Sequence, residues 1–331
     1  MKHITESVNE KIYTSPLLDF YFHNMSMGTL DIETTGLNPE RCKFVLGGLY
    51  DFDGRTMHQF FADSSDEEAD TLLAYFEKVS CLDVIITYNG RHFDLPFMET
   101  RYRRLLGDEY RGKMPFHLDL YLLLSGHSPV RQFVPNLKQK TVENYLGLWE
   151  GRTDEISGAE SIELYYEYVR TGSSDALRQI LLHNRDDVIQ LSRLLKVISK
   201  SDWHKGMNKC GFPAGGCTVS KTKLHRDVLE FSGVQLDTPV NYRCFQVGEY
   251  PASSDWNESD RTFRVKVPVI REHGLTVIDL YASGIDTGPF EQFPAYSSGF
   301  LAVETSEGLN YMEINRFIIS FMDRLRLFMD E

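Results

Sequence analysis

The chain has no cysteine pattern that would build a disulfide framework or a zinc cluster. Its five cysteines, Cys42, Cys81, Cys210, Cys217 and Cys244, are scattered and odd in number. That fits reduced thiols and gives no disulfide-linked partner to expect. Only Cys210 and Cys217 lie close together, with His204 nearby. Zinc sites normally show tighter CxxC or HxxxH spacings, so a Gly-rich loop with two free thiols is the preferred reading. Long apolar runs are also missing. None approaches the roughly 20 residues needed to span a bilayer. Asp19, His23 and Asn24 interrupt the stretch that would have to be the apolar core of a signal peptide. The expectation is a cytoplasmic protein with no membrane partner. Positive charge is scarce, since 35 Lys and Arg face 48 Asp and Glu for a net charge of −13. A protein that grips long duplex DNA usually carries a basic face, so this balance argues against that class.

The chain does have the makings of a core. It has 331 residues, 42% of them hydrophobic, enough for one large domain or two ordinary ones. No internal repeat or low-complexity tract is visible. Basic residues gather at Arg101, Arg103, Arg104, Arg111 and Lys113, then at Lys138 and Lys140. These clusters read equally as nucleic-acid contacts or as a solvated helix face.

Residues 1–25 read as a short lead-in. Ser26–Ile32 reads as a strand ending at Glu33–Gly36. Lys43–Asp51 and Thr56–Phe61 form a hairpin across Asp51-Phe52-Asp53-Gly54. Asp63–Asp66 supplies N-cap residues for a helix running to about Val79. Val84-Ile85-Ile86 is a buried-strand pattern. Helices are expected at Asp94–Leu106, Asp119–Ser125, Leu137–Leu146, Ala159–Thr171 and Ser174–Ile198. Gly206, Gly211, Pro213, Gly215 and Gly216 mark a linker around Lys205–Gly216. Strands follow at 263–269, Thr276–Leu280 and Phe300–Glu304, and an amphipathic helix at about Met312–Met329. The expected layout is an α/β first domain, residues 1–204, and a strand-rich α+β second domain, residues 205–331.

Chemistry concentrates in three places. In Leu30-Asp31-Ile32-Glu33, strand geometry puts Asp31 and Glu33 on one face. Adjacent carboxylates repel unless a proton or cation lies between them, and an oxygen-only site suits Mg²⁺ or Mn²⁺. A lone DxE is a weak signal, because exposed strands often carry two acids. Tyr88-Asn89-Gly90-Arg91-His92-Phe93-Asp94 leads from a strand into a helix. Asp94 is either the helix N-cap or a third carboxylate at the strand–helix junction. In Leu182-His183-Asn184-Arg185-Asp186-Asp187, the spacing 180, 183, 187, 191, 194, 198 puts His183 and Asp187 on the inward stripe. Asp186 falls on the more exposed stripe of Leu182, Gln190 and Arg193. A core-facing carboxylate is costly unless paired or metal-bound. A buried salt bridge for Asp187 and a satisfied core histidine for His183 are the structural alternatives.

The ordered motifs DxE, NxxxFD and HxxxD resemble the DEDD, or DnaQ-like, exonuclease superfamily with its RNase H-like fold. More narrowly they resemble the YprB-like family of predicted bacterial exonucleases. The resemblance is carried by residues 30–37, 59–63, 88–97, 118–120 and 183–188, within roughly 25–200. It implies an RNase H-like mixed sheet flanked by helices, and 3′–5′ hydrolysis of DNA or RNA with two divalent metal ions. Carried over residue by residue, it implies Asp31 as the bridging ligand, with Glu33 and Asp187 on the nucleophile-side metal. Asp94 would serve the second metal, and His183 would accept a proton from the attacking water. Thr34, Thr35, Leu37 and Asn89 would contact the terminal nucleotide, with a structural role the alternative for Asn89. Histidine members of the superfamily place that residue five before the last aspartate. Here His183 is four before Asp187, the spacing of the tyrosine subclass. A non-catalytic nucleic-acid-binding scaffold and an endonuclease with the same metal site are the rival readings. In the second domain, Tyr242, Phe245 and Tyr250 beside Arg243 read either as a base-stacking platform or, preferably, as packed core aromatics.

Overall fold

The computed structural model describes residues 1–107, 112–148 and 156–330. It divides into two compact units, Met1–Ser201 and Asp202–Glu331.

In the first unit the chain runs β1 (Lys2–Ser7), α1 (Pro16–Phe22), β2 (Met27–Thr34), β3 (Phe44–Asp51) and β4 (Thr56–Phe61). It continues through α2 (Glu68–Val79), β5 (Val84–Thr87), α3 (Asp94–Leu106), β6 (Phe116–Asp119) and α4 (Leu120–His127). It then forms α5 (Gln139–Tyr145), α6 (Gly158–Thr171) and α7 (Ser174–Leu194). The strands make one mixed sheet in the order β1-β4-β3-β2-β5-β6. β2 is antiparallel to β3 and parallel to β5, so it stands where the sheet changes direction.

Each face of the sheet has its own apolar layer. Leu30 and Ile32 of β2 join Leu72, Phe76, Phe97 and Met98 of α2 and α3. On the other side Val45, Leu46 and Phe61 meet Tyr165 of α6 and Ile180 of α7. Two consecutive glycines in β3 let helices approach on both faces. A Cβ on Gly47 would stand 2.6 Å from the Tyr75 ring of α2, and one on Gly48 only 2.1 Å from Oδ1 of Asn184 in α7. α6 begins with a capping box between Ser157 and Glu160, and α7 with a Ser173 side-chain cap.

Three features depart from the sequence expectations. The lead-in is an ordered edge strand, β1, paired along β4, followed by a short helix with Ser15 as N-cap and Pro16 after it. β6 precedes Asp119, which caps α4 instead of opening it. The Gly-rich stretch from 205 to 216 is no linker. It forms helix α8 (Trp203–Cys210) and strand β7 (Phe212–Ala214), and the left-handed Gly215 and Gly216 turn the chain into the next strand.

The second unit continues with β8 (Cys217–Leu224), β9 (Val228–Gln235), β10 (Tyr242–Cys244), β11 (Ser253–Asn257) and β12 (Thr262–Pro268). Next come β13 (Ile270–Glu272), β14 (Leu275–Asp279), α9 (Leu280–Ser283), β15 (Phe300–Thr305), β16 (Gly308–Leu309) and α10 (Tyr311–Asp330). Its sheets run β10-β11-β12-β9-β8-β7 and β13-β14-β15-β16. Ile314, Phe317, Ile318, Phe321 and Leu325 of α10 are buried, and Phe231 of β9 meets Phe321 edge-on. Asn208 of α8 donates to Asn315 of α10 at 2.7 Å. No helix among the described residues is long and apolar enough to cross a membrane.

Candidate active site

α7 lies across the face of β2 that carries Thr29, Asp31 and Glu33, and each of the three meets a neighbouring helix. Thr29 Oγ1 donates to the carbonyl of Val188 at 2.9 Å. Asn184 Nδ2 donates to the carbonyl of Asp31 at 3.2 Å and reaches its Oδ2 at 3.4 Å. Glu33 accepts from Ser161 Oγ of α6 at 3.0 Å. Asn184 is itself fixed, because Gln59 Nε2 of β4 donates to its Oδ1 at 3.1 Å and to the carbonyl of Leu181 at 2.8 Å.

His183 stands between two acids. Its Nε2 lies 3.8 Å from Oε1 of Glu33 and 3.6 Å from Oδ2 of Asp187. His183 and Glu33 are buried, whereas Asp187 and Asp31 are half-buried. Burial pushes the Glu33 carboxyl up to about 7. The His183 charge opposes that rise, and Asp187, then Asp94, add to it.

Asp94 does not cap its helix. The N-cap position belongs to Phe93, and no side chain caps α3. Asp94 is the first helical residue, 4% exposed, and its Oδ1 has no hydrogen-bond partner. Burial raises its pKa to about 7, against the pull of the Asp94 and Ile32 amides, with Asp119 raising it further. Asp119 is a buried anchor that accepts from the amides of Asn89 at 2.9 Å, Arg91 at 3.1 Å and Tyr121 at 2.9 Å. Those bonds hold Asn89 in a left-handed conformation, φ 66°, and shape the turn that delivers Asp94.

The loop after β2 is braced as well. Thr34 Oγ1 donates to the Gly36 carbonyl, and Thr35 Oγ1 accepts from the Lys43 amide. Leu37 at its tip is 82% exposed. Arg101 of α3 forms a buried bidentate pair with Glu68 at 2.7 Å and bonds the Pro39 carbonyl at 3.1 Å. Arg104 holds Glu40, and Lys113 pairs with Asp83 at 2.6 Å. The basic cluster is thus largely spent on internal contacts and is not an open nucleic-acid face. Arg111 lies outside the described residues.

Asp186 departs from its expected stripe, being only 2% exposed. That flank of α7 is covered. Gln190 donates to the Leu148 carbonyl at 3.1 Å, and Arg193 pairs with Glu10 of the segment after β1. Helical periodicity cannot reveal a cover supplied by segments this remote in sequence. Asn184, Ser161 and Asp119 were likewise not singled out as site residues. Asn184 and Asp119 lie within the quoted motifs, whereas nothing local marks Ser161.

The donor set is all oxygen apart from one imidazole, which suits a hard divalent cation. Asp94 Oδ1 lacks a partner, and two buried carboxyls are held near 7 for want of positive charge, so the residues fit such an ion. Among the described residues no three His, Cys, Asp or Glu groups close around a single point at ligand distance.

A family profile described as RNase_H superfamily matches residues 29–199, more than half of the chain. The chain belongs to the RNase H superfamily. Its first unit carries the RNase H-like mixed sheet, and the resemblance read from three motifs to this nuclease fold holds. Among relatives, the uncharacterized protein YprB of Bacillus subtilis is 28% identical over 174 residues, 51% of this chain and 41% of that protein. The uncharacterized protein MJ0365 of Methanocaldococcus jannaschii is 31% identical over 182 residues, 53% of this chain and 96% of that protein. The chain thus spans less than half of the Bacillus relative and nearly all of the archaeal one. A family B DNA polymerase from the archaeon Pyrobaculum calidifontis aligns with TM-score 0.43 and 19% identity, over 53% of this chain and 24% of that one.

Proposed function

We propose that this RNase H-like protein is a metal-dependent 3′–5′ exonuclease of the DEDD type, acting on single-stranded ends of DNA or RNA. The observation that carries the reading is the buried, unsatisfied Asp94 carboxylate, at the end of the sheet that also presents Asp31 and Glu33. Asp31, Glu33, Asp94 and Asp187 would hold two divalent ions, Mg²⁺ or Mn²⁺. Such ions, when bound, lower the pKa of a coordinated water and neutralise charge on the scissile phosphate. Asn184 fixes Asp31 through its carbonyl and carboxylate, and Ser161 fixes Glu33. His183 accepts the proton of the attacking water at an imidazole nitrogen, in reach of Asp187 and Glu33, which stabilise the imidazolium. The exposed Leu37 and the braced Thr34–Thr35 backbone are placed to meet the terminal nucleotide.

The test uses 5′-labelled single-stranded DNA and RNA with Mn²⁺. Shortening from the 3′ end, abolished by Asp31→Ala, is expected. No metal-dependent shortening of either substrate overturns the reading. Mn²⁺ binding without any cleavage would leave a nuclease fold acting as a binding scaffold. Cleavage of a circular strand would indicate an endonuclease.

A further inference from the structure

The six-stranded sheet of the second unit is two-faced in an unusual way for so acidic a chain. Its inner face buries Leu229, Phe231, Trp256, Phe263, Val265 and Val267. Its outer face is basic. Strand register sets Arg243, Asp255, Arg264, Ser232 and Lys221 side by side across β10, β11, β12, β9 and β8. The adjoining row is Ser253, Lys266, Glu230 and Lys223. Five cations thus face two carboxylates here, while the whole chain carries −13.

The two acids do not neutralise this surface. Arg243 is held by Asp255 at 2.8 Å, and Glu230 lies 3.9 Å from Arg264 and 3.6 Å from Lys266. Among the described residues, Lys221 and Lys223 have no acidic partner. At the β10 edge Phe245 is 80% exposed, whereas Tyr250 is buried under α10 and packs edge-on against Phe321. Of the three aromatics first considered as a stacking platform, Phe245 alone stands fully in solvent and Tyr242 is half-buried. Beside Phe245 is a recess of about 330 Å³ lined by Arg243, Arg264, Lys266, Ser253 and Ser254.

We propose that this outer face binds single-stranded nucleic acid, with a base stacked on Phe245 and phosphates held by Arg264, Lys266, Lys221 and Lys223. Strands lie ~4.8 Å apart, so the row from Arg243 to Lys221 runs about 19 Å, room for several phosphates of an extended strand. Backbone cations beside an exposed ring are what a polymer of alternating phosphate and π-surface needs, and the contact is indifferent to base identity. A duplex hides its base faces and cannot use Phe245. The choice of nucleic acid over another polyanion rests on the exonuclease reading of the first unit.

The experiment measures binding of a fluorescein-labelled single-stranded oligonucleotide to the full chain by anisotropy, in EDTA and over a salt series. R264E/K266E and K221E/K223E should each weaken binding about tenfold and lower the slope of log affinity against log salt by about 1. Phe245→Ala, at an exposed position that the fold does not need, should weaken it about fivefold or more. Inorganic polyphosphate should compete worse than unlabelled oligonucleotide. Affinities within about twofold of the parent for all three variants overturn the proposal. So does equal competition by polyphosphate. Cleavage in Mn²⁺ is read separately on the same proteins. Variant-sensitive binding without cleavage sinks only the exonuclease reading, and cleavage with variant-insensitive binding sinks only this one.

Discussion

Asp94 and Glu33 are acids kept where water does not reach them, and this has a thermodynamic cost in the metal-free protein. Both titrate at about 7 in the fold, against ordinary values of 3.8 and 4.5. As pH rises from about 4 to 7 the unfolded chain gives up these protons first, so the unfolded state gains stability relative to the folded one. The metal-free protein should therefore melt at progressively lower temperature across that window, and saturating Mn²⁺ should restore the loss by binding only the folded form. Melting curves in EDTA and in Mn²⁺ check this, and a flat metal-free profile would contradict it. Asp94→Asn should raise the metal-free melting temperature above pH 7 by about 2–4 °C, the shift given by about 1 kcal/mol in a domain of this size, while abolishing cleavage. At this scale the acids were legible, because carboxylates on an apolar face advertise themselves. Asn184 and Ser161 were not, since an amide or hydroxyl is ordinary anywhere and only tertiary contact with Asp31 and Glu33 gives it a task.

Among elements, β2 and α7 could be read from periodicity alone because both are buried along one face. β1, with its largely exposed and polar sequence, owes its order to pairing with β4, and no local signal reports that. β6 is only four residues long, too short to establish a period. The contact of α7 with the sheet suggests a direct test. Gly48→Ala forces a methyl into Asn184 and should cost about 1–3 kcal/mol along with most of the activity. Removing the obstacle in Gly48→Ala/Asn184→Ala should recover part of the stability in a double-mutant cycle, without recovering catalysis. If the two losses simply add, the two residues do not oppose one another. Arg101→Leu strands the Glu68 carboxylate in the interior and should cost about 3–5 kcal/mol in denaturant unfolding. It should also raise KM, because the loop bearing Leu37 loses its brace at Pro39.

For the whole molecule, charge is distributed against the global sign. A chain of −13 repels a polyanion from afar, while the outer face of the second unit attracts it at contact. The Debye length is ~30 Å at 0.01 M salt and ~10 Å at 0.1 M, so added salt screens the distant repulsion before it erodes the local attraction. Association rates for an oligonucleotide should change less than about threefold over that range, while dissociation accelerates more steeply. Stopped-flow anisotropy separates the two, and an association rate that collapses with salt would place the controlling charges elsewhere. The seat that Gly48 offers Asn184 has a consequence for the chain as a whole. Each residue turns a helix by about 100°, so one insertion within α7 before Asn184 would swing that amide off its notch and carry His183 and Asp187 away with it. An insertion ahead of Ser173 changes nothing in that phase. The helix is indexed by the sheet itself, like a key by its ward, and the connections leading to it are free to vary in length.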